Sequence, residues 1–122
     1  MVALRIKHVT VDCADPPKLA AWWAQALGGS ITADFGGSYT LVAGGGLAMG
    51  FQKVPQERAG KNSVHVDLAA SDRVEEIERL VRLGATEIAE HTVPGLAWTV
   101  LRDPEGNEFC VSDTAPAESS TG

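Results

Sequence analysis

Apolar and polar positions follow the same order twice along the chain. Leu4 to Asp12 alternates and is rich in β-branched residues, which predicts a strand. Apolar residues at helical spacing come next, and three short alternating runs separated by glycines complete the first half. The second half repeats this order. The pattern predicts an α+β fold of two βαβββ modules in tandem, with curled mixed sheets enclosing a cleft and the helices outside.

Start and stop signals define both predicted helices. Asp15 is a predicted N-cap with Pro16 at the first helical position, and Gly28 suits the left-handed residue that ends a helix. Asp72 and Glu75 form a predicted capping box for the second helix, which Gly84 ends. The predicted buried stripes are Leu19, Trp22, Trp23, Ala26 and Leu27 in the first helix, and Val74, Ile77, Leu80 and Val81 in the second.

Turn residues and polar segments set the other boundaries. Module 1 is predicted at about 4–54 and module 2 at about 62–113, with a linker at 55–61 and a disordered tail at 114–122. We expect residues 1–113 to form a single domain. The further strands are predicted near 30–34, 38–43 and 47–54, then at Ser63–Leu68 and near 86–91, 96–102 and 107–112.

The repeat places chemically related residues at equivalent positions. His8 in the first strand corresponds to His65, 57 residues later, and Gln52 in the last strand corresponds to Cys110 at a spacing of 58. Alternation directs all four side chains to the sheet faces that carry no helix. Two imidazoles with two further donors are typical of a metal site, although a histidine in a strand is often purely structural. Tyr39 and Trp98 match in the third strands.

Composition limits the classes of function. The chain has 122 residues and a formal net charge of −6, with ten scattered basic residues, which argues against nucleic acid as a partner. We expect no membrane span, because the sequence has no apolar run of about 18 residues. The start lacks the features of a signal peptide, and two cysteines are no disulfide framework, so we expect a cytoplasmic protein.

Three segments carry a resemblance to a known family. They are HVTVDCADPPKLAAWWAQALGG, KNSVHVDLAASD and WTVLRDPEGNEFCV, and the last contains an Asp-Pro-x-Gly-Asn turn that begins at Asp103. The chain thereby resembles the vicinal oxygen chelate superfamily, which includes glyoxalase I, the bleomycin-resistance proteins and the extradiol dioxygenases. It is most similar to the small bacterial glyoxalase-like domain proteins. We expect Asp103 to cap its own turn, with Gly106 or Asn107 at positive φ.

The resemblance implies a metal site at the matching positions. These positions hold His8, His65, Gln52 and Cys110 around one divalent ion (zinc, nickel, iron or manganese). Because Gln52 and Cys110 are not the usual carboxylates, the site is altered, and Cys110 favours zinc or another thiophilic ion. The implied activity is that of a metal-dependent lyase, isomerase or dioxygenase acting on a small molecule, with Glu108 or Asp67 as general base. The resemblance also implies a homodimer.

Two alternatives remain open at this point. One is a metal-free protein that sequesters a ligand, such as a cationic drug, without catalysis, with Tyr39 and Trp98 as stacking walls. The other is covalent catalysis by Cys110 beside a histidine, although a buried and inert thiol is the commoner case.

Overall fold

The structure is a computed structural model that describes residues 7–54 and 65–113. The described residues form two compact units, one on each side of this gap, and we call them the first and second module. Each module has one helix and four strands in the order βαβββ, so the predicted α+β architecture of two tandem modules is confirmed. The predicted linker and tail, and the predicted starts at Leu4 and Ser63, lie outside the described residues.

The first module is a four-stranded mixed sheet in the order β1-β4-β3-β2. Strand β1 runs parallel to β4, whereas the other neighbours are antiparallel. Helix α1 packs on β2, β3 and β4. The elements are β1 at Val9–Cys13, α1 at Pro16–Leu27, β2 at Ser30–Asp34, β3 at Tyr39–Gly44 and β4 at Leu47–Lys53.

The second module repeats this topology in the order β5-β8-β7-β6. Strand β5 is parallel to β8, and helix α2 packs on β5, β6 and β8. Strand β5 begins later than the predicted Ser63, and His65 and Val66 lead into it. The elements are β5 at Asp67–Ala70, α2 at Arg73–Leu83, β6 at Thr86–Val93, β7 at Leu96–Arg102 and β8 at Glu108–Asp113.

The predicted helix boundaries are confirmed at both ends. The Asp15 side chain accepts a hydrogen bond from the backbone N–H of Lys18, and the Asp72 side chain accepts one from Glu75. Gly28 (φ 64°) and Gly84 (φ 118°) end the helices in the left-handed region, which glycine adopts without strain. Local side-chain chemistry alone therefore located these boundaries.

The buried stripe is confirmed for α1 except at Leu27, which is half-buried, and it is confirmed only in part for α2. Leu19, Trp22, Trp23 and Ala26 are buried as predicted. In α2 Ile77 and Leu80 are buried, but the prediction for the two valines is wrong, since Val74 is 59% exposed and Val81 44% exposed. The reason lies at Arg73, whose hydrogen bonds to the sheet turn its own side of the helix inward. The two valines thereby face outward.

The hairpin before the last strand of each module is closed in a different way. In the first module Gly45 (φ 63°) and Gly46 (φ 80°) make the turn. In the second, Asp103 is buried and its Oδ1 accepts hydrogen bonds from the backbone N–H groups of Glu105 and Asn107, both at 2.9 Å. Gly106 has φ 87°, so the predicted side-chain-capped turn is confirmed.

Candidate functional site

Strand register shows which residues of the two modules correspond. Thr10 pairs with Gly50 across β1 and β4, and Asp67 pairs with Cys110 across β5 and β8. His8 and His65 each precede their pair by two residues, on the same face. When the two modules are aligned on His8 and His65, the residue of the first module that corresponds to Cys110 is therefore Gly50.

The equivalence expected between Gln52 and Cys110 is thus wrong by two residues. Gln52 lies opposite Asp12 and is exposed. His8 is four residues before Asp12, which corresponds to about 13 Å along a strand. The first module therefore does not bring His8 and Gln52 together, and their assignment as joint metal ligands receives no support from the register.

The second module gathers three potential metal ligands on its helix-free face, the sheet face opposite α2. One ligand atom each from His65, Asp67 and Cys110 lies within 4.8 Å of the other two. His65 Nε2 and Asp67 Oδ1 are 3.4 Å apart. Cys110 is buried, whereas the histidine and the aspartate are exposed. We call these three residues the second-module cluster.

The donors of this cluster fit a thiophilic ion. Two ligands bound at about 2.0–2.1 Å in a tetrahedral site are about 3.3 Å apart, close to the observed separation of the His65 and Asp67 atoms. A thiolate, an imidazole and a carboxylate form a set typical of zinc, whereas manganese prefers oxygen ligands. Since a catalytic zinc site needs three protein ligands and an open position, the cluster has the required number.

The first module holds a hydrogen-bonded group in the corresponding place. The Tyr39 hydroxyl lies 2.8 Å from His8 Nε2 and 2.8 Å from Thr10 Oγ1. We call His8, Thr10 and Tyr39 the first-module triad. A Cβ atom added at Gly50 would lie 2.5 Å from the Tyr39 hydroxyl oxygen. The missing side chain of Gly50 therefore provides the space that the phenol occupies.

Glu108, a predicted general base, lies near the second-module cluster. It is two residues before Cys110 and on the same face of β8. Its side chain is 15% exposed, and its Oε2 atom is 3.5 Å from Arg102 Nη2. The paired arginine holds this carboxylate on the helix-free face.

Trp98 forms an aromatic stack with a residue of β6, the edge strand of the same sheet. Its ring centroid is 5.3 Å from that of His91, with an interplanar angle of 26°. Trp98 lies opposite Ser112 on one side and His91 on the other, and it is only partly buried. Sequence reasoning identified Trp98 but missed His91, Thr10 and Gly50, because only the register of the hairpins pairs these residues with their partners.

Charge is distributed unequally between the modules. Residues 7–54 contain three acidic and three basic side chains, whereas residues 65–113 contain eleven acidic and four basic ones. The acidic character of the chain therefore belongs to the second module. Neither helix of the described part of the chain is long and apolar enough to span a membrane.

One protein family matches the chain across both modules. The glyoxalase-like domain matches residues 8–112, so the chain belongs to the glyoxalase-like domain family. This family places it in the vicinal oxygen chelate superfamily, as the sequence motifs predicted. No functionally curated protein matches the chain.

Solved structures share the fold at low sequence identity. The fosfomycin resistance protein FosX from Listeria monocytogenes, complexed with Mn(II) and sulfate, has a TM-score of 0.79 and 14% identity, with 99% of this chain and 98% of FosX covered. A glyoxalase/bleomycin resistance protein/dioxygenase family enzyme from Burkholderia phytofirmans PsJN has a TM-score of 0.71 and 20% identity (87% and 95% covered). A bleomycin-binding protein complexed with bleomycin has a TM-score of 0.68 and 17% identity (91% and 99% covered).

Proposed function

We propose that this protein binds a small organic molecule and acts on it as a metal-dependent lyase, isomerase or dioxygenase. The observation that carries the proposal is the second-module cluster, in which ligand atoms of His65, Asp67 and Cys110 lie within 4.8 Å of one another. The ion that these residues would hold is zinc or another thiophilic divalent metal. We also propose that the chain works as a homodimer in the cytoplasm.

Solved relatives support a divalent metal. FosX from Listeria monocytogenes was solved with Mn(II), and an E126Q variant of it with Mn(II) and 1S,2S-dihydroxypropylphosphonic acid. The thiol of Cys110 argues for a softer ion here than manganese. Nickel and iron remain in the proposal, because imidazole suits both.

Different residues of the second module would bind the metal ion and transfer the proton. His65 would bind the ion through a neutral imidazole nitrogen, and Cys110 would bind it as a thiolate. A bound divalent ion supplies a Lewis acid that stabilises negative charge on a substrate oxygen. Glu108 would act as general base, because its side chain is on the same face of β8 as Cys110, two residues away. Asp67, which the sequence also suggested as a base, is assigned to the ligand set.

Metal analysis of the full chain, produced without a chelating tag, tests this proposal. We expect close to one equivalent of zinc per chain, and its loss in the variants His65→Ala and Cys110→Ser. His91→Ala is the matched control, since His91 stacks on Trp98 and lies outside the cluster. If zinc, nickel, iron and manganese all fail to bind at a tenfold excess over protein, the metal-dependent function is wrong.

The Trp98–His91 stack favours a second candidate, a metal-free protein that binds a flat cationic ligand. Trp98 offers an aromatic wall, and the acidic second module favours positive charge. The bleomycin complex of a structural relative supports this alternative. The test is titration with the cationic dye proflavine in the presence of a chelator. Saturable quenching of tryptophan fluorescence that Trp98→Leu abolishes is expected, and unchanged emission contradicts the alternative.

A further inference from the structure

Arg102 is the only lysine or arginine on the helix-free face of the second module, within residues 65–113. It follows Leu101, which is fully buried, so alternation directs the arginine to the face without a helix. Its side chain is 49% exposed. The other arginines of this range belong to α2, on the opposite face of the sheet, and they are Arg73, Arg79 and Arg82. A single positively charged side chain of this kind therefore shares its face with the second-module cluster.

The guanidinium of Arg102 keeps hydrogen-bond donors for a further acceptor. Its ion pair within the described residues joins Nη2 to Glu108 Oε2 at 3.5 Å, which is longer than an ordinary hydrogen bond. An arginine carries five N–H donors, so this one contact leaves Nε and Nη1 for another partner. Thr86 pairs with Arg102 across β6 and β7, and its exposed side chain therefore lies next to Arg102 on the same face. Arg102 and Thr86 together offer donors to one anionic group.

The place of Arg102 relative to the cluster sets the length of a ligand that reaches both. Cys110 pairs with Val100, and Arg102 is two residues further along β7. Two residues span about 6.5–7 Å along a strand and neighbouring strands are about 5 Å apart, so the Cα atoms of Cys110 and Arg102 are about 8 Å apart. Val100 adjoins both on the same face and offers an apolar surface. Such a ligand therefore needs a short carbon chain between its two polar ends.

The acidic character of the second module does not exclude an anion from this face. Within residues 65–113, the strands place two carboxylates there, Asp67 and Glu108. With a divalent ion bound, the positive charges of the ion and Arg102 balance these two carboxylates and a Cys110 thiolate. An arriving anion therefore meets no net repulsion at the site. Four further acidic residues lie on the opposite side of the sheet, in α2 and its N-cap: Asp72, Glu75, Glu76 and Glu78.

We propose that Arg102 binds a carboxylate of the substrate, which makes the substrate class a small carboxylic acid with metal-binding oxygens at its other end. The planar guanidinium matches the shape of a carboxylate, and charge-assisted hydrogen bonds of this kind are strong. Thr86 donates to the same carboxylate as a weaker, second contact. The inference rests on the proposed metal-dependent function, since it takes the cluster as the binding place of the other end of the molecule.

Calorimetric titration of the zinc-loaded full chain with two matched chelators tests this inference. One is succinic monohydroxamic acid, whose hydroxamate binds zinc and whose free carboxylate extends away from it. The other is the corresponding primary amide, which has nearly the same size but no charge at that end. We expect the acid to bind about tenfold more tightly than the amide, in line with a hydrogen bond between charged groups. Arg102→Gln should remove this preference and leave the affinity for the amide unchanged, and Thr86→Val should reduce the preference to a smaller extent.

A matched control and the zinc content make the outcomes distinct. Arg82→Gln should keep the preference for the acid, because Arg82 lies in the last turn of α2. Equal affinity of the unmodified chain for the two chelators overturns the inference, and so does an equal loss of both chelators in Arg102→Gln. A chain that binds zinc but does not distinguish the chelators contradicts only the role of Arg102. A chain that binds no zinc contradicts the metal-dependent function, and this inference with it.

Discussion

The two modules share a fold but differ at one pair of corresponding strand positions. In the second module Cys110 places a thiol beside His65 and Asp67. In the first module the same position is Gly50, and the hydroxyl of Tyr39 fills the space above it. The two modules therefore keep the same backbone pairing, but one places a cluster of potential metal ligands at this position and the other a hydrogen-bonded group.

The modules also differ on the side of the sheet that faces the helix. Thr40 and Thr99 are both fully buried in the third strand of their module. Arg73, the first residue of α2, donates a 2.8 Å hydrogen bond from Nη1 to Thr99 Oγ1. The first residue of α1 is Pro16, and Thr40 Oγ1 has no hydrogen-bond partner within residues 7–54 and 65–113. The second module therefore satisfies a buried hydroxyl that the first leaves unpaired.

The largest expected effect follows from removing Arg73. Its guanidinium also contacts Asp113 at 3.1 Å and Glu90 at 3.5 Å, and its side chain is only 11% exposed. We expect Arg73→Leu to lower the free energy of unfolding by about 3 kcal/mol, because bonds to a charged donor are lost and Thr99 is left unpaired. Urea denaturation measures this change. The double variant Arg73→Leu/Thr99→Val should recover about 1 kcal/mol, and the absence of any recovery would contradict the pairing.

The guanidinium of Arg73 stays protonated across the physiological pH range. The hydrogen bond with Asp113 raises the pKa of Arg73 above its ordinary value, and the nearby Glu90 carboxylate raises it further, against the opposing effect of burial. A raised pKa in the folded state means that the stabilisation is fully present below the unfolded pKa. It is lost only as the pH rises through the folded value, so the Arg73→Leu deficit should be the same at pH 6 and pH 8.

The turn comparison predicts the next largest effect. The Asp103 carboxylate accepts two backbone N–H bonds and two contacts from the Asn107 amide, and it is buried. We expect Asp103→Ala to cost about 2 kcal/mol, since two backbone N–H donors of the turn lose a charged acceptor. Thermal unfolding measures the loss. Asp34→Ala is a useful control, because Asp34 caps an exposed turn of the first module with one bond and should cost less than 1 kcal/mol or so.

Thr40 offers a smaller effect of opposite sign. Replacing this threonine with valine removes a buried hydroxyl that is unpaired in the described residues, at nearly constant volume. We expect Thr40→Val to raise the free energy of unfolding by about 1 kcal/mol, whereas Thr99→Val should lower it, since Thr99 accepts a bond from Arg73. Chemical denaturation of both variants side by side decides the point. If both substitutions change the free energy of unfolding in the same direction, the difference between the two buried threonines is wrong.

The smallest effect is expected at Val81, one of the two exposed valines of α2. Val81→Lys should change the free energy of unfolding by less than about 0.5 kcal/mol, because Val81 is 44% exposed. Ile77→Ala, in the same helix but buried, should cost about 2–4 kcal/mol. Denaturation midpoints measure both. A large loss for Val81→Lys would show that another part of the molecule covers this side of α2.

The sequence alone predicted the elements well, because local chemistry determines them. Asp15, Asp72 and the two glycines that follow the helices define boundaries without help from tertiary contacts. The rotation of α2 could not be predicted, since apolar spacing admits Val74 and Val81 as readily as Leu80, and the long-range bonds of Arg73 decide between them.

The sheet face that carries the candidate site residues was predicted, but the register of the first module was not. Alternation placed His65, Asp67 and Cys110 on one face, which the ladder between β5 and β8 supports. The spacing of 58 residues suggested that Gln52 corresponds to Cys110. Strand pairing instead places Gly50 at the position that corresponds to Cys110. A register shift of two residues keeps every side chain on the same sheet face, so the alternation of apolar and polar residues cannot reveal the shift.

The uneven charge of the two modules has a consequence for encounters in solution. A cation approaching at low ionic strength meets an attractive field from the eleven acidic residues of the second module, and little net field from the first. At physiological salt the Debye length is about 8 Å, so this guidance acts only near the end of the approach. We therefore expect the second module to bind metal ions and cationic ligands faster at low salt than at high salt.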